Sequence, residues 1–236
     1  MKETIRKFVP KFILALHWKY FKSKLGQFKG KETEDVFTTI YQKQYWGNKE
    51  SVSGDGSTKE ETQNIANHLP HVFKEYGIQS MLDIPCGDYY WMQHVTKDGV
   101  AYTGGDIVAD LVESNNRKFE KQGVTFKHLD LTKSDLPKVD LVFTRDCLVH
   151  LSEDKVFAAI NNIKRSGSKY FMTTTFTTRT ANKDIITGDW RAGNLQIAPY
   201  NFPKPIVTIA DTKISNDNDF SDKVMALYEV ASLPTL

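Results

Sequence analysis

Three aspartates stand at near-regular intervals in the middle of the chain: Asp83, Asp106 and Asp130, separated by 23 and 24 residues. Each falls where a short apolar run stops, at Met81-Leu82-Asp83, Gly104-Gly105-Asp106 and His128-Leu129-Asp130. Acids at the ends of successive strands can accept hydrogen bonds from a ligand bound beyond them. Asp106 is placed to accept both hydroxyls of a ribose. Asp130 suits an adenine amino group, and Asp83 either orders the turn behind it or receives a ligand's amino group. Taken singly, each acid could equally cap a helix or end a solvated loop. The three together point to a nucleoside site. Gly87 follows the first acid and leaves room for the backbone to approach a ligand. Its loop, Pro85-Cys86-Gly87-Asp88-Tyr89-Tyr90, has one glycine, and an acid where a dinucleotide fingerprint would hold pyrophosphate. Asp88 would repel a pyrophosphate but not a cationic nucleoside, which counts against NAD.

These acids need strands to bring them to one rim. Strand-like runs cover residues 80–84, 101–106, 124–129, 139–144 and 169–175, and helix-like runs cover 89–96, 109–121 and 152–164. Alternation of that kind implies a mostly parallel sheet with helices on both faces. Two further strands, 206–213 and 223–231, are joined by a polar turn at 215–221 and read as a closing hairpin. Upstream, a helix is expected over 34–45. Ser57 with Glu60 has capping-box spacing for a second helix, which runs to Tyr76 and stops at Gly77.

The chain has 236 residues, 40% hydrophobic and 25% charged, with a formal net charge of +2. Nine Lys/Arg and a single acid, Glu3, give residues 1–31 a charge of +8, so the remainder carries −6. A basic arm on a mildly acidic body argues against a broad nucleic-acid face. Within the arm, Ile5, Phe8, Val9, Phe12, Ile13, Leu16, Tyr20 and Phe21 recur at helical spacing around Pro10. That helix either rests on an anionic membrane surface or packs on protein. No run approaches the ~20 apolar residues of a membrane span, and no small-residue cleavage site follows residues 12–16. Cys86 and Cys147 make neither a zinc set nor a disulfide framework, and no metal site is read. A reduced, cytoplasmic setting is expected, with peripheral contact at the inner membrane face through residues 1–31 as the alternative.

As a set, Asp83-Ile84-Pro85-Cys86-Gly87-Asp88, then Asp106, then Asp130-Leu131, then Asp140-Leu141-Val142-Phe143-Thr144-Arg145-Asp146 resemble the motif series of class I S-adenosylmethionine-dependent methyltransferases. The likeness runs over residues 57–230. It departs from the usual acid-x-Gly-x-Gly-x-Gly loop, since Pro85 and Tyr89 replace the outer glycines. That loop is similar to the one in a bacterial subgroup whose members often accompany cell-surface glycan synthesis. Tyr45-Trp46-Gly47, Ser53-Gly54-Asp55-Gly56-Ser57 and Gly188-Asp189-Trp190-Arg191 also look like that subgroup.

The resemblance implies an α/β, Rossmann-like seven-stranded sheet in the order 3-2-1-4-5-7-6, with strand 7 antiparallel. A helical extension and cofactor-capping segment over 1–56 would precede a methyltransferase domain over 57–236. S-adenosylmethionine would be the cofactor and S-adenosylhomocysteine its product, held by Tyr45, Trp46, Ser57, Asp83, Pro85, Gly87, Asp106, Ile107, Asp130, Leu131 and Arg145. With strands one and four as neighbours, Cys86 and Cys147 would lie close together as small buried thiols. Methyl transfer needs mainly in-line alignment, worth roughly 7–11 kcal/mol, and a hydroxyl acceptor also gains from a base. The candidate bases are Asp146 and His150, although Asp146 could instead order its loop and His150 could cap or pack before the next helix.

The loop 176–205 is too long for a mere connector and reads as a lid. Its Asp189, Trp190, Arg191, Asn194 and Tyr200 are the candidate acceptor contacts, since aromatics beside planar amides suit a polyhydroxylated ring. The same aromatics could instead only anchor a proline-fixed surface loop. The expected activity is O-methylation of a sugar or glycan precursor, with methylation of another small metabolite or natural product at N or O, or a non-catalytic nucleoside-binding scaffold, as the alternatives. The expected partner is a small-molecule or glycan acceptor, with no nucleic acid.

Overall fold

The computed structural model describes residues 25–119, 123–211 and 220–236. The amphipathic helix expected in the first two dozen residues, and most of the 215–221 turn, lie outside them. Four α-helices are described: α1 Thr33–Gln42, α2 Lys59–Glu75, α3 Ala109–Phe119 and α4 Glu153–Arg165. The strands are β1 Ser80–Asp83, β2 Ala101–Asp106, β3 Thr125–His128, β4 Leu141–Thr144, β5 Tyr170–Phe176, β6 Val207–Ala210 and β7 Lys223–Glu229. They form one sheet in the order β3-β2-β1-β4-β5-β7-β6. Pairs among β1 to β5 are parallel, whereas β7 runs antiparallel to both β5 and β6.

Strand alternation divides the core between two faces. Met81, Tyr102, Phe126, Phe143, Met172 and Leu227 point to one face, where Ile65, Leu69, Val72 and Phe73 of α2 cover them. Leu82, Val142, Phe171, Ala226 and Tyr228 point to the other, against Val156, Ala159, Ile160 and Ile163 of α4. A sheet covered on both faces needs nearly continuous apolar strands. Accordingly, every residue of β4 and β5 is buried.

Two local expectations give way. Residues 89–96 do not form an α-helix; only Met92–His94 makes a single 3-10 turn. The loop before it turns too tightly, with Gly87 at φ 55° and Tyr89 at φ 58°. The long helix is capped by Thr58, not Ser57: the Thr58 hydroxyl accepts from the Glu61 amide at 3.4 Å, and Ser57 ends a 3-10 turn, Asp55–Ser57. The capping pair is thus shifted by one residue. Among the described residues, no helix is long and apolar enough to cross a membrane.

Candidate active site

The strand order reverses between β1 and β4, which opens a crevice at their carboxyl ends. Asp83 pairs with Phe143 across that seam, and Asp106 pairs with His128 across β2 and β3. All three sequence-picked acids are buried at this rim. Their partners separate their roles. Asp106 accepts the Gly87 amide at 3.1 Å and the Val108 amide at 3.0 Å, one on each oxygen. Lone pairs remain on both oxygens for a ligand's hydroxyls. Burial pushes its carboxyl up to about 6 against the pull of those amides. Asp130 accepts the Thr132 amide and hydroxyl on one oxygen, while Lys133 stands 3.6 Å from the other.

Asp83 is enclosed, accepting the Tyr102 hydroxyl at 2.7 Å. Burial pushes its carboxyl up to about 7, the Tyr102 hydroxyl and Lys97 pull it down, and Asp106 adds to the rise. The hydrogen-bond partner of Asp83 lies in β2, while the Gly87 amide of the turn goes to Asp106. Ile107 and Leu131 are buried beside the rim; the Ile107 carbonyl holds His128 Nε2 at 2.8 Å, and the Leu131 carbonyl accepts Asn162 at 2.9 Å. Pro85 lies in the first loop after a cis peptide bond.

Gly87 has, besides the role expected for it, a close neighbour within the chain. A Cβ there would stand 2.3 Å from the Ser53 hydroxyl, so the near neighbour is the chain's own upstream segment. That segment also crosses the end of β4. The Arg145 guanidinium donates to the Gly56 carbonyl at 2.9 Å, and a Cβ on Gly56 would meet an Asp146 oxygen at 3.3 Å.

Arg145, expected among the cofactor contacts, is instead committed to the chain. Its Nε donates to Asp211 at 2.9 Å and its Nη1 stands 3.3 Å from Asp146. Lys223 closes the cluster, with Nζ at 2.7 Å from Asp146 and 3.1 Å from Asp211. Burial acts to raise the Asp146 carboxyl, but the Lys223 and Arg145 charges outweigh it and hold the group at about 2. A carboxylate so tightly ion-paired is a poor general base near neutrality. Asp146 also sits at φ 52°, with its amide donated to the Thr174 hydroxyl at 2.8 Å.

His150 has the geometry that Asp146 lacks. Its Nδ1 lies 2.7 Å from the Asp189 carbonyl, which can only accept, so that nitrogen carries the proton. Nε2 is left with the lone pair, and among the described residues nothing hydrogen-bonds to it. Burial lowers the imidazole's pKa further than the Asp189 carbonyl and the Asp146 charge raise it. The ring is therefore neutral at physiological pH. Trp46, expected over the cofactor, stacks on this ring with centroids 4.3 Å apart. Tyr45 packs with Trp46 against a small cluster of Leu25, Phe28, Val36 and Ile40. Ser57 closes the 3-10 turn Asp55–Ser57 and is half-buried.

Three of the five lid candidates belong to the lid's own interior. Arg191 donates to the Leu151 carbonyl and, at 2.7 Å, to the Tyr200 hydroxyl. Asn194 holds the Arg179 carbonyl at 3.0 Å and the Gln196 amide at 3.0 Å. With their polar groups spent on the chain, Arg191, Asn194 and Tyr200 build the loop and do not face an acceptor. Asp189 and Trp190 stay half-exposed. Trp190 meets Phe176 and Phe220 edge-on, with centroids at 5.9 and 5.2 Å.

Several contributors escaped the sequence reading. Thr173, Thr174 and Thr175 are buried in β5, and their hydroxyls bind Thr144, the Asp146 amide and the Leu195 amide. A run of threonines in a buried strand is a legible signal, because each hydroxyl there needs a partner. Lys223, Asp211 and Phe220 had none, since their neighbours come from distant strands. Cys86 and Cys147 are free thiols packed in separate clusters, Cys86 with the α2 face and Cys147 against the α4 face.

Residues 81–167 match a family model described as a methyltransferase domain. No curated protein matches the sequence. Among solved structures, 1,6-didemethyltoxoflavin-N1-methyltransferase of Burkholderia thailandensis, with bound S-adenosylhomocysteine, is 14% identical. It covers 83% of this chain and 86% of its own, at a TM-score of 0.58. Magnesium protoporphyrin IX methyltransferase of Synechocystis PCC 6803, with bound S-adenosylmethionine, is 15% identical over 85% of this chain and 98% of its own, at 0.53. A possible exported protein of Bordetella parapertussis is matched over 44% of its length and 50% of this chain, at 16% identity and a TM-score of 0.41. With this strand order, its antiparallel seventh strand and the match over residues 81–167, the chain has the Rossmann-like methyltransferase fold.

Proposed function

We propose that the protein is an S-adenosylmethionine-dependent methyltransferase that methylates a hydroxyl of a small molecule, with a sugar or glycan precursor as the acceptor. The observation that carries this reading is the open Nε2 of His150, set by the carbonyl of Asp189, the residue before Trp190 of the aromatic trio. The rim fits the cofactor by its chemistry. Asp83, Asp106 and Asp130 are three carboxylates buried at one rim, and burial raises the first two above the usual carboxylate range. Asp106 would hold the ribose, Asp130 the adenine edge, and the loop around Gly87 the amino-acid end.

When bound, the cofactor supplies an activated methyl group on a sulfonium. The chain supplies the rest. His150 Nε2 takes the acceptor's hydroxyl proton while Nδ1–H stays on the Asp189 carbonyl. Trp46 limits the ring's rotation from one face. The Asp146–Lys223–Arg145–Asp211 cluster fixes the turn between β4 and His150. Trp190 and Phe220, packed on the buried Phe176, give the acceptor ring a surface.

The aromatic trio also favours a second acceptor class, a flat heterocyclic metabolite methylated at N or O, because the lid amides expected to bind sugar hydroxyls are occupied. Radiolabelled methyl transfer to a panel of sugars, nucleotide sugars and hydroxylated heterocycles separates the two. Label on sugars supports the first class and label on heterocycles alone the second. Label only on RNA or protein ends both.

A further inference from the structure

Residues 46–57 form a strap that is braced on itself before it touches the sheet. Asn48 Oδ1 accepts the Glu50 amide at 2.7 Å and the Ser51 amide at 2.9 Å, and its Nδ2 donates to Asp55 at 3.0 Å. Gly54 sits at φ 96°, with the Trp46 carbonyl 3.0 Å from where a Cβ would be. Beyond the stacking of Trp46 on His150, the Tyr90 hydroxyl donated to Glu50 at 3.3 Å, and Val52 packed beside Ile107 and Val108, the strap meets the rest of the chain at two further polar anchors. One is Arg145 on the Gly56 carbonyl. The other is Asp88, whose carboxylate gathers the Ser51 hydroxyl and Val52 amide, each at 3.0 Å, and its own loop's Tyr90 amide at 3.2 Å.

Asp88 thus occupies the part that phosphate plays in a dinucleotide loop, as the anion on which N–H and O–H donors converge. Here the anion belongs to the chain, and what it recruits is the strap. The consequence is geometric: Ser53, one residue beyond Val52, is set directly over Gly87. Among the described residues its hydroxyl has no hydrogen-bond partner, and it stands beside the loop whose Gly87 amide is donated to Asp106.

We propose that Asp88 is a positioning residue that latches the strap over the glycine loop, so that the Ser53 hydroxyl forms one wall of the cofactor site. This rests on the methyltransferase reading above. The strap then closes the site from within the same chain, and cofactor affinity depends on a carboxylate that never touches the cofactor. Losing a charge-assisted pair of this kind should weaken binding by about ten- to a hundredfold.

The test pairs hydrogen exchange of the intact protein with calorimetric titration of S-adenosylhomocysteine, on wild type and Asp88→Asn. The latch predicts faster exchange at residues 51–54 in the variant and a dissociation constant raised at least tenfold. Ser51→Ala should weaken binding less, and adding it to Asp88→Asn should cost little more. Faster exchange with unchanged affinity would make the latch purely structural and overturn the proposal. Weaker affinity with unchanged exchange would mean that Asp88 meets the ligand itself, which also overturns it. If the wild type binds no S-adenosylhomocysteine while exchange still responds to Asp88→Asn, the methyltransferase reading fails and the proposed cofactor role of the latch fails with it. Melting temperatures within a few degrees of wild type separate these results from general unfolding.

Discussion

Asp83→Asn should make the ligand-free protein more stable near neutral pH. The carboxyl is buried, accepts a hydrogen bond from Tyr102, and titrates at about 7 in the fold. An unfolded aspartate titrates at about 3.9. Because the folded value is the higher, the group's contribution to stability is fully present below about pH 4 and is lost as pH rises through about 7. A gap of about three units corresponds to about 4 kcal/mol at pH 8. Asparagine keeps an oxygen for the Tyr102 hydroxyl but cannot ionise. Urea unfolding at pH 5, 6, 7 and 8 should therefore show wild type losing stability across the series and the variant losing markedly less, with the curves diverging by about 2–3 kcal/mol between pH 5 and pH 8, the first part of the loss having occurred below pH 5. Asp106, at about 6, contributes a slope of the same sign to both proteins and cancels in the difference. Lys97, lowered to about 8 chiefly by burial, acts mostly above this range. Parallel curves would refute the assignment of a strongly raised pKa to Asp83.

His150 and the ion cluster beside it give two further expectations. His150→Gln should lower kcat by about 10²–10⁴-fold while leaving S-adenosylhomocysteine affinity intact, and in wild type kcat should rise with pH to a plateau reached below the usual histidine range; an unaltered kcat would remove His150 as the base. Lys223→Met leaves two carboxylates sharing Arg145, so chemical denaturation should show a loss of about 3 kcal/mol, and the Asp146 carboxyl should rise from about 2 toward its ordinary value in an NMR titration.

The sheet was legible because its signals are local. Apolar runs ending in Asp83, Asp106 and Asp130 locate β1, β2 and the exit from β3, and the polar interval before Lys223 locates the terminal hairpin. The rim acids were legible for the same reason. What escaped depends on partners far apart in sequence. Gly87 reads as a glycine that admits a ligand, and only the fold shows Ser53 above it. Arg191 and Asn194 read as binding groups because their types suit hydroxyls, yet their donors are consumed within the loop. Trp46 was placed at the site, but nothing in the sequence links it to His150, which lies over a hundred residues away. Side-chain chemistry told which rim to inspect, and three-dimensional pairing told which groups are already committed within the chain.

Isothermal titration of the purified protein with S-adenosylhomocysteine, alongside an Asp106→Lys variant kept only if its circular dichroism matches wild type, addresses the central claim. The account predicts saturable one-to-one binding by wild type and none by the variant. A wild type that takes up neither this compound nor S-adenosylmethionine, or a variant that binds as tightly as wild type, would contradict it.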